Sequence, residues 1–348
     1  MKMLLLFISL QLAASLSAQI PAGYYDSALG LTGSSLQTAL NDIIQDHTEF
    51  PYSSSGTDVW DILKETDKDT NDANNVILLY SGWSLNGPSE FNSGSGWNRE
   101  HVWPQSRGNF GTGAGPGTDV HALRPCDISV NSARSNRWFA ECTQEYIDAD
   151  GATGSYLSAS DWFWKPRDEV KGDVARMIFY MATRYEGEGG EVDLRLINSI
   201  PSDNNTSEPI HAKLTDLLQW NDEDPVDDWE RNRNDIIYYD YQNNRNPFID
   251  HPEYAMEIWG IYLNTPQIGA DVNLSVYPNP ADSQISVNWP SEENYSVKVF
   301  NLKGKLKHKQ KSKKSSTTVL DLSDLESGVY LVRVSTKGNE ITRKIVLQ

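Results

Sequence analysis

The apolar positions change period along the chain, and each change predicts a different kind of element. At the start, Lys2 is followed by the apolar run Leu4-Leu5-Leu6-Phe7-Ile8 and then by small residues up to Ala18. That order predicts a secretory signal peptide over residues 1–18, too short to cross a bilayer, with the mature chain beginning at Ala18 or Gln19. Between residues 34 and 44, Leu36, Leu40, Ile43 and Ile44 share one helical face behind a Ser34 or Ser35 cap. Residues 58–63 form a second, short helical pattern. Residues 75–80 are an apolar, partly β-branched run expected as a buried strand, and the Gly-, Ser- and Asn-rich stretch 84–96 is expected as a loop. Val170, Val174, Met177, Ile178 and Met181 recur at helical spacing, which predicts a helix over 168–185 at the centre of the core. A connecting loop over 186–206, a helix over 210–218 and another over 132–139 complete this part. Beyond residue 270 the period becomes two: segments 276–280, 296–300, 316–320, 329–334 and 341–346 alternate between Asn, Gly and Ser turns, the signature of a small all-β sandwich. The expected fold class is therefore α+β, with a mostly helical domain over 19–270 and a β-sandwich domain over 271–348.

Composition narrows the classes. Hydrophobic residues at 38% and charged residues at 22% are ordinary for a globular chain and exclude global disorder. Two cysteines exclude a disulfide-dense miniature scaffold, but in an exported chain Cys126 and Cys142 are expected to form a single disulfide, with two unpaired thiols as the alternative. Lys and Arg number 30 against 48 Asp and Glu, a net charge of −18 that argues against a polyanionic partner. The charge is uneven, however. Residues 271–348 hold 12 basic and 8 acidic side chains, which leaves −22 for residues 1–270. Within that acidic part, residues 97–139 carry five arginines and three acids. There is no Walker-type phosphate loop, CxxC pair or dinucleotide fingerprint. Trp162, Trp164 and Trp259 lie beside apolar or helical residues and are expected to be core rather than base-stacking side chains.

The same segment, 97–139, concentrates residue types that suit phosphodiester hydrolysis. Such a reaction needs an activated water, compensation for charge on the phosphate oxygens and stabilisation of the leaving alkoxide. Histidine, with an ordinary pKa of about 6.5, is largely neutral and hence basic near neutral pH. His101 is the candidate base. A hard divalent ion takes carboxylate and amide oxygens, which makes Glu100 and Asn131 candidate ligands for Mg²⁺, with Mn²⁺ or Ca²⁺ as alternatives. In an extended strand Glu100 and His101 point to opposite sides, so one can face a metal and the other a nucleophile. Arg124 and Arg134 are candidates to grip phosphate. Each has a plainer reading: Asn131 as a helix cap, Arg124 as the partner of Asp127 or Asp119, a histidine as buried structure.

In combination the motifs are more specific. Asn98-Arg99-Glu100-His101-Val102-Trp103-Pro104, Asp119-Val120-His121-Ala122-Leu123-Arg124-Pro125 and Val130-Asn131-Ser132-Ala133-Arg134-Ser135-Asn136 resemble the bacterial endonuclease I family of secreted and periplasmic nucleases. The stretches 170–177 and 244–253 are similar to it as well, and the likeness spans roughly residues 40–260. It implies an α+β nuclease with a ββα-metal active site that cleaves DNA and also RNA without sequence preference. By that resemblance His101 is the general base, and Glu100 and Asn131 hold one Mg²⁺. The resemblance also implies an arginine near the scissile phosphate, for which Arg124 is the choice and Arg107 the rival, with Arg134 and Asn136 as further substrate contacts. His121 is expected to orient the site rather than react. Cys126 stands where the family often has a small polar residue.

The C-terminal stretches 276–280, 299–305, 320–330 and 344–348 resemble the sorting domain of the type IX secretion system, which implies passage out of the cell by that machinery and removal of the domain. A lysine-rich hairpin over 303–314 could grip nucleic acid, although a solvated, loop-borne charge run is the commoner outcome. The expected function is a secreted, metal-dependent endonuclease that leaves 5′-phosphate ends, released or held at the cell surface without membrane insertion. A non-catalytic nucleic-acid-binding or adhesive surface protein on a degenerate nuclease fold is the alternative, and a secreted phosphatase or phosphodiesterase of small esters is a third.

Overall fold

The computed structural model describes residues 20–260, 274–301, 305–325, 327–336 and 340–348. The expected signal peptide and the 270/271 boundary lie outside them. The chain divides into two compact units, Met1–Trp259 and Gly260–Gln348.

The first unit opens with helix α1 (Gly33–Ile44), which buries Leu36, Leu40 and Ile44; it starts behind Thr32, not behind the serines expected to cap it. Helix α2 (Val59–Thr66) is capped by Asp58, whose carboxylate accepts from the backbone of Trp60 and Asp61 while Asp61 reaches back to the Asp58 backbone. The run expected as one strand over 75–80 forms only β1 (Asn75–Ile77), paired antiparallel with β2 (Ser84–Asn86) inside the expected loop. Leu78, Leu79 and Tyr80 are buried without being strand, so their apolarity reports the core rather than a sheet.

A two-stranded ribbon follows. Strands β3 (Trp97–His101) and β4 (Leu123–Asp127) pair antiparallel, Glu100 opposite Arg124 and His101 opposite Leu123. One face of the ribbon carries Cys126 into the main core with Tyr80 and Val130, while the other carries Trp97 and Leu123 into a second apolar cluster with Ile62 and Leu63 of α2. Period-two alternation between two cores fixes the register, because a slip of one residue would exchange the faces. The ribbon runs directly into helix α3 (Ile128–Arg134), whose cap is Asp127, accepting from the amides of Ser129 at 2.8 Å and Val130 at 3.1 Å. The helix expected over 132–139 is thus shifted towards the N-terminus, and Asn131 is not its cap.

Strand β5 (Trp138–Phe139) then joins a sheet of order β5-β8-β7-β6 with β6 (Glu145–Asp148), β7 (Gly151–Ser158) and β8 (Phe163–Lys165), none of which the periodicity suggested. Helix α4 (Lys171–Arg184) is the expected central helix, and all of its residues are buried. Its charged side chains are therefore paired: Arg176 donates to Glu230 Oε1 at 2.8 Å, and Arg184 to Glu191 at 2.7 Å. The loop expected over 186–206 contains β9 (Arg195–Ile197), which pairs parallel with β10 (Ile210–Lys213), and the helix expected over 210–218 is instead β10 followed by α5 (Leu214–Glu223). Helices α6 (Asp228–Ile236), α7 (Pro247–Asp250) and α8 (Glu253–Trp259) complete this unit. With ten short strands among its described residues, it is α+β but not mostly helical.

In the second unit, β11 (Ser275–Tyr277), β12 (Gln284–Asn301), β13 (Leu306–Asp321), β14 (Gly328–Ser335) and β15 (Glu340–Leu347) form one hydrogen-bonded antiparallel sheet rather than two separate ones. Strand β12 pairs with β13 along both its halves and with β14 only from Ser296 onward, with register shifts between Asn288 and Tyr295. Ile285, Val287, Val297, Val299, Val332 and Ile345 are fully buried in one cluster although no helix of this unit is present among the described residues to cover them. A flat sheet cannot do that; this one must curl over its own apolar face. Of the segment 303–314, expected as a lysine-rich hairpin, the residues from Leu306 onward belong to strand β13.

Arg176 offers a stability test. Arg176→Leu leaves Glu230 buried without its cation, while Asp173 keeps Arg124, and is expected to lower unfolding free energy by about 3–5 kcal/mol in urea melts, whereas Arg176→Met with Glu230→Leu regains most of the loss.

Candidate active site

A cleft of about 520 Å³ opens where the end of β3 meets α3. Glu100, His101, Asn131, Arg134 and Asn136 all line it. Of the residues expected from sequence, these five are brought together.

Glu100 and Arg134 form its floor. They are 2% and 1% exposed, and Arg134 Nε lies 3.2 Å from Glu100 Oε1. The Tyr80 hydroxyl donates to the same oxygen at 2.7 Å. Burial raises the Glu100 pKa above its ordinary value, while Arg134 and Tyr80 oppose that rise. Arg134 also donates to the carbonyls of Val102 at 2.5 Å and Ser135 at 2.9 Å, which straps the end of α3 to the residue after β3. One turn earlier, Asn131 Nδ2 donates to Asn98 Oδ1 at 2.9 Å. That bond uses the nitrogen of Asn131 and leaves its carbonyl oxygen for another partner.

His101 occupies the other face of β3. Its Nε2 lies 3.0 Å from the carbonyl oxygen of Gly117, and the Gln105 carboxamide lies 3.2 Å from the same nitrogen. The Gln105 group is its side-chain nitrogen, which donates to the Gly111 carbonyl; in the tautomer in which Nε2 donates to the Gly117 carbonyl, Nδ1 keeps the lone pair. Gly117 belongs to the glycine-rich connection between β3 and β4; a Cβ there would collide with the carbonyl of Gly111, so only glycine lets the loop fold tightly enough to present this acceptor. The imidazole stacks on Tyr52, with ring centroids 5.6 Å apart. Burial lowers its pKa to about 4; the Gly117 carbonyl opposes this, and the nearby Arg99 and Arg134 cations add to it. His101 is therefore a neutral base across the physiological range.

Two expected arginines lie elsewhere. Arg124 stands opposite Glu100 in the ribbon, but its guanidinium turns away to an ion pair with buried Asp67, to Asp173 at 3.4 Å and to the face of Trp229 at 4.4 Å. It does not line the cleft, and its partners are neither Asp127 nor Asp119. Arg107 is fully buried, donating to the Asn136 carbonyl at 2.7 and 3.0 Å over the Trp138 ring. It is a strut beneath Asn136, not a phosphate contact. His121 is fully buried too, with Nε2 3.1 Å from the Asn244 carbonyl, away from the cleft.

Conversely, Tyr52, Arg99 and Gln105 line the cleft without having been singled out. Arg99 was legible: it sits two residues before His101 on an extended strand and so shares its face. Its guanidinium lies 3.3 Å above Tyr52 and 4.1 Å above Trp60. Tyr52, far upstream in the chain, gives no sequence signal of its role.

The family model described as Endonuclease I matches residues 32–253. The chain belongs to the endonuclease I family. It is a nucleic-acid hydrolase, and the motifs that line the cleft fall within the matched endonuclease I region. A relative of Bacillus subtilis (strain 168), an extracellular ribonuclease, is 53% identical over 236 residues, which is 68% of this chain and 78% of the relative. The extracellular ribonuclease of Bacillus amyloliquefaciens is 54% identical over the same length and shares. Residues 275–348 match the secretion system C-terminal sorting domain, so this endonuclease I relative is exported by type IX secretion.

The expected disulfide is not formed. Cys126 and Cys142 are both free, Cys126 fully buried on β4 and Cys142 partly exposed after β5, each with its thiol pKa pushed up by burial, that of Cys142 to about 11. Neither is an activated nucleophile. Thiol counting on the secreted protein is expected to find two free thiols after denaturation without reductant and slow alkylation of Cys142 alone in the native state; a count of zero would restore the disulfide.

Proposed function

We propose that β3, β4 and α3 form a ββα-metal motif, and that the protein cleaves DNA and RNA without sequence preference, using His101 as general base and one Mg²⁺, to leave 5′-phosphate ends. The observation that carries this reading is the His101–Gly117 contact beside the Glu100–Arg134 floor. It presents a neutral imidazole with a free Nδ1 next to a carboxylate and an amide oxygen.

The donor set fits a hard divalent ion. Tyr80 and Arg134 occupy Oε1 of Glu100, Asn131 directs its nitrogen to Asn98, and the other oxygen of each side chain is left for a cation. Among the described residues no three His, Cys, Asp or Glu side chains cluster, so a softer, nitrogen- or sulfur-rich metal set has no counterpart. When bound, Mg²⁺ would lend positive charge to the scissile phosphate and the departing 3′ oxygen.

The chain's own groups do the remainder. His101 Nδ1 takes the proton from the attacking water, and Nε2, held by the Gly117 carbonyl, keeps the ring in the tautomer that can do so. Arg99 lies on the His101 side of the ribbon, where it offsets charge on the non-bridging phosphate oxygens. Arg134, 3.2 Å from Glu100 Oε1, opposes the rise in the Glu100 pKa that burial causes. Two relatives named extracellular ribonucleases support RNA as a substrate.

His101→Ala is expected to lower cleavage of supercoiled plasmid and of single-stranded RNA by about 10²–10⁴-fold while leaving Mg²⁺ and oligonucleotide affinity within a few fold. Retained cleavage would remove His101 as the base. A chelator is expected to abolish wild-type cleavage, with Mg²⁺ restoring it. Glu100→Gln and Asn131→Ala should each weaken Mg²⁺ binding, read by calorimetry, at least about tenfold; unchanged affinity in both would refute the ligand pair.

A further inference from the structure

In the second unit, β13 carries Lys307, Lys309, Lys311 and Lys313 at every other position, all exposed. Residues two apart on a regular strand share a face and stand about 6.8 Å apart, as Lys309 and Lys311 do, and register shifts at Lys307 and beyond Ser312 bracket that regular stretch. The opposite face of the same segments holds the buried Val297, Val299, Ser312, Val332 and Val334, so the lysines line the outside of the curled sheet. They do not stand alone. Lys309 is in register with Lys298 of β12, and Lys298 with Arg333 of β14, which sets three cations side by side across adjacent strands. No Asp or Glu occurs in the segments 295–300, 306–312 and 330–335, which hold Lys298, Lys307, Lys309, Lys311 and Arg333; Lys313 lies beyond them, near the pairing of Glu293 with Ser315. Among the described residues none of these lysines takes part in an ion pair.

Like charges directly opposite in a sheet destabilise it. A single lysine on an edge strand suffices to discourage edge pairing. Four in succession, backed by a cross-strand row of three cations, exceed that need at a cost in stability, and such a surface is complementary to a long, regularly charged anion.

We propose that this face of the sorting domain is an accessory binding surface for the phosphate backbone of nucleic acid, which holds substrate on the full-length enzyme while that domain remains attached. Repetition supports a phosphate backbone: like cations recurring along one strand face a polymer whose charges also recur at a fixed interval of a few ångströms. Charge distribution supports it as well, since residues 1–270 carry −22 and repel a polyanion away from the cleft. The proposal rests on the chain's being a nuclease, not on the roles assigned to His101 or to a metal.

The test uses the full chain in chelator, with binding of a fluorescent DNA duplex followed by anisotropy at about 50–200 mM NaCl. Lys307→Gln, Lys309→Gln, Lys311→Gln and Lys313→Gln combined are expected to cut affinity at the lowest salt at least about tenfold and to flatten the slope of log K against log salt by about 3–4. Arginine at the same four positions should keep both, which separates charge from misfolding. Hydrolysis of bis(4-nitrophenyl) phosphate with Mg²⁺ should be equal in all three proteins, so failure of the catalytic reading would show as lost turnover and failure of this one as unchanged binding. Equal affinity and slope in the glutamine variant would overturn the proposal. So would a lysine-dependent affinity for anionic lipid vesicles or an acidic polysaccharide with none for the duplex.

Discussion

The buried pair of Glu100 and Arg134 is the constraint from which the site follows. A carboxylate removed from water is tolerated only beside a cation and hydrogen-bond donors, and here Arg134 and Tyr80 supply them from two other parts of the chain. Because Arg134 also holds the carbonyls of Val102 and Ser135, the pair fixes the end of α3 against the end of β3. Asn131, one helical turn before Arg134, is thereby brought to Asn98 on the strand. A single ion pair thus holds Glu100 and Asn131 in place beside each other on the cleft wall.

The ribbon supplies the second requirement, separation of roles. Glu100 and His101 are neighbours in sequence but lie on opposite faces of a strand trapped between two apolar clusters. The carboxylate faces the floor, and the imidazole faces Tyr52 and the Gly117 carbonyl. A helix would have placed adjacent side chains about 100° apart on one surface, and a free loop would not have held them. A two-sided strand lets one group stay charged and paired while the next stays neutral.

What could be read from the sequence follows the same physics. Strand alternation at Glu100 and His101, the central helix and the period-two pattern of the C-terminal unit depend on local order and were legible. The meeting of Glu100, His101 and Asn131 at one cleft was signalled too, because two short motifs, residues 98–104 and 130–136, carry them. The destination of each arginine was not. Arg124, Arg107 and Arg134 have similar neighbours in sequence, but their partners, Asp67, the Asn136 carbonyl and Glu100, are set by tertiary approach. Short strands such as β5 and β10 were illegible for a related reason: each is too brief to show a period, and each exists because a distant segment offers it a partner. The buried run at residues 78–80 shows the converse, since apolarity there marks the core and carries no information about pairing.

The fate of the arginines also bears on how an acidic protein handles a polyanion. Five arginines in residues 97–139 suggest a strongly basic site. Arg107 and Arg124 are turned into the interior, and Arg137 is held by the Ala133 and Ser158 carbonyls against Trp162. Arg134 lines the cleft, but its charge answers Glu100, which leaves Arg99 as the cleft arginine without an acidic partner among the described contacts. The local excess of positive charge counted along the chain is thus mostly structural. One arginine beside a neutral histidine gives weak hold on a long phosphate chain, and the −22 around it weakens that hold further. Productive binding must then draw on positive charge other than that of the cleft side chains, a demand that the divalent ion and the lysine surface proposed above would each meet.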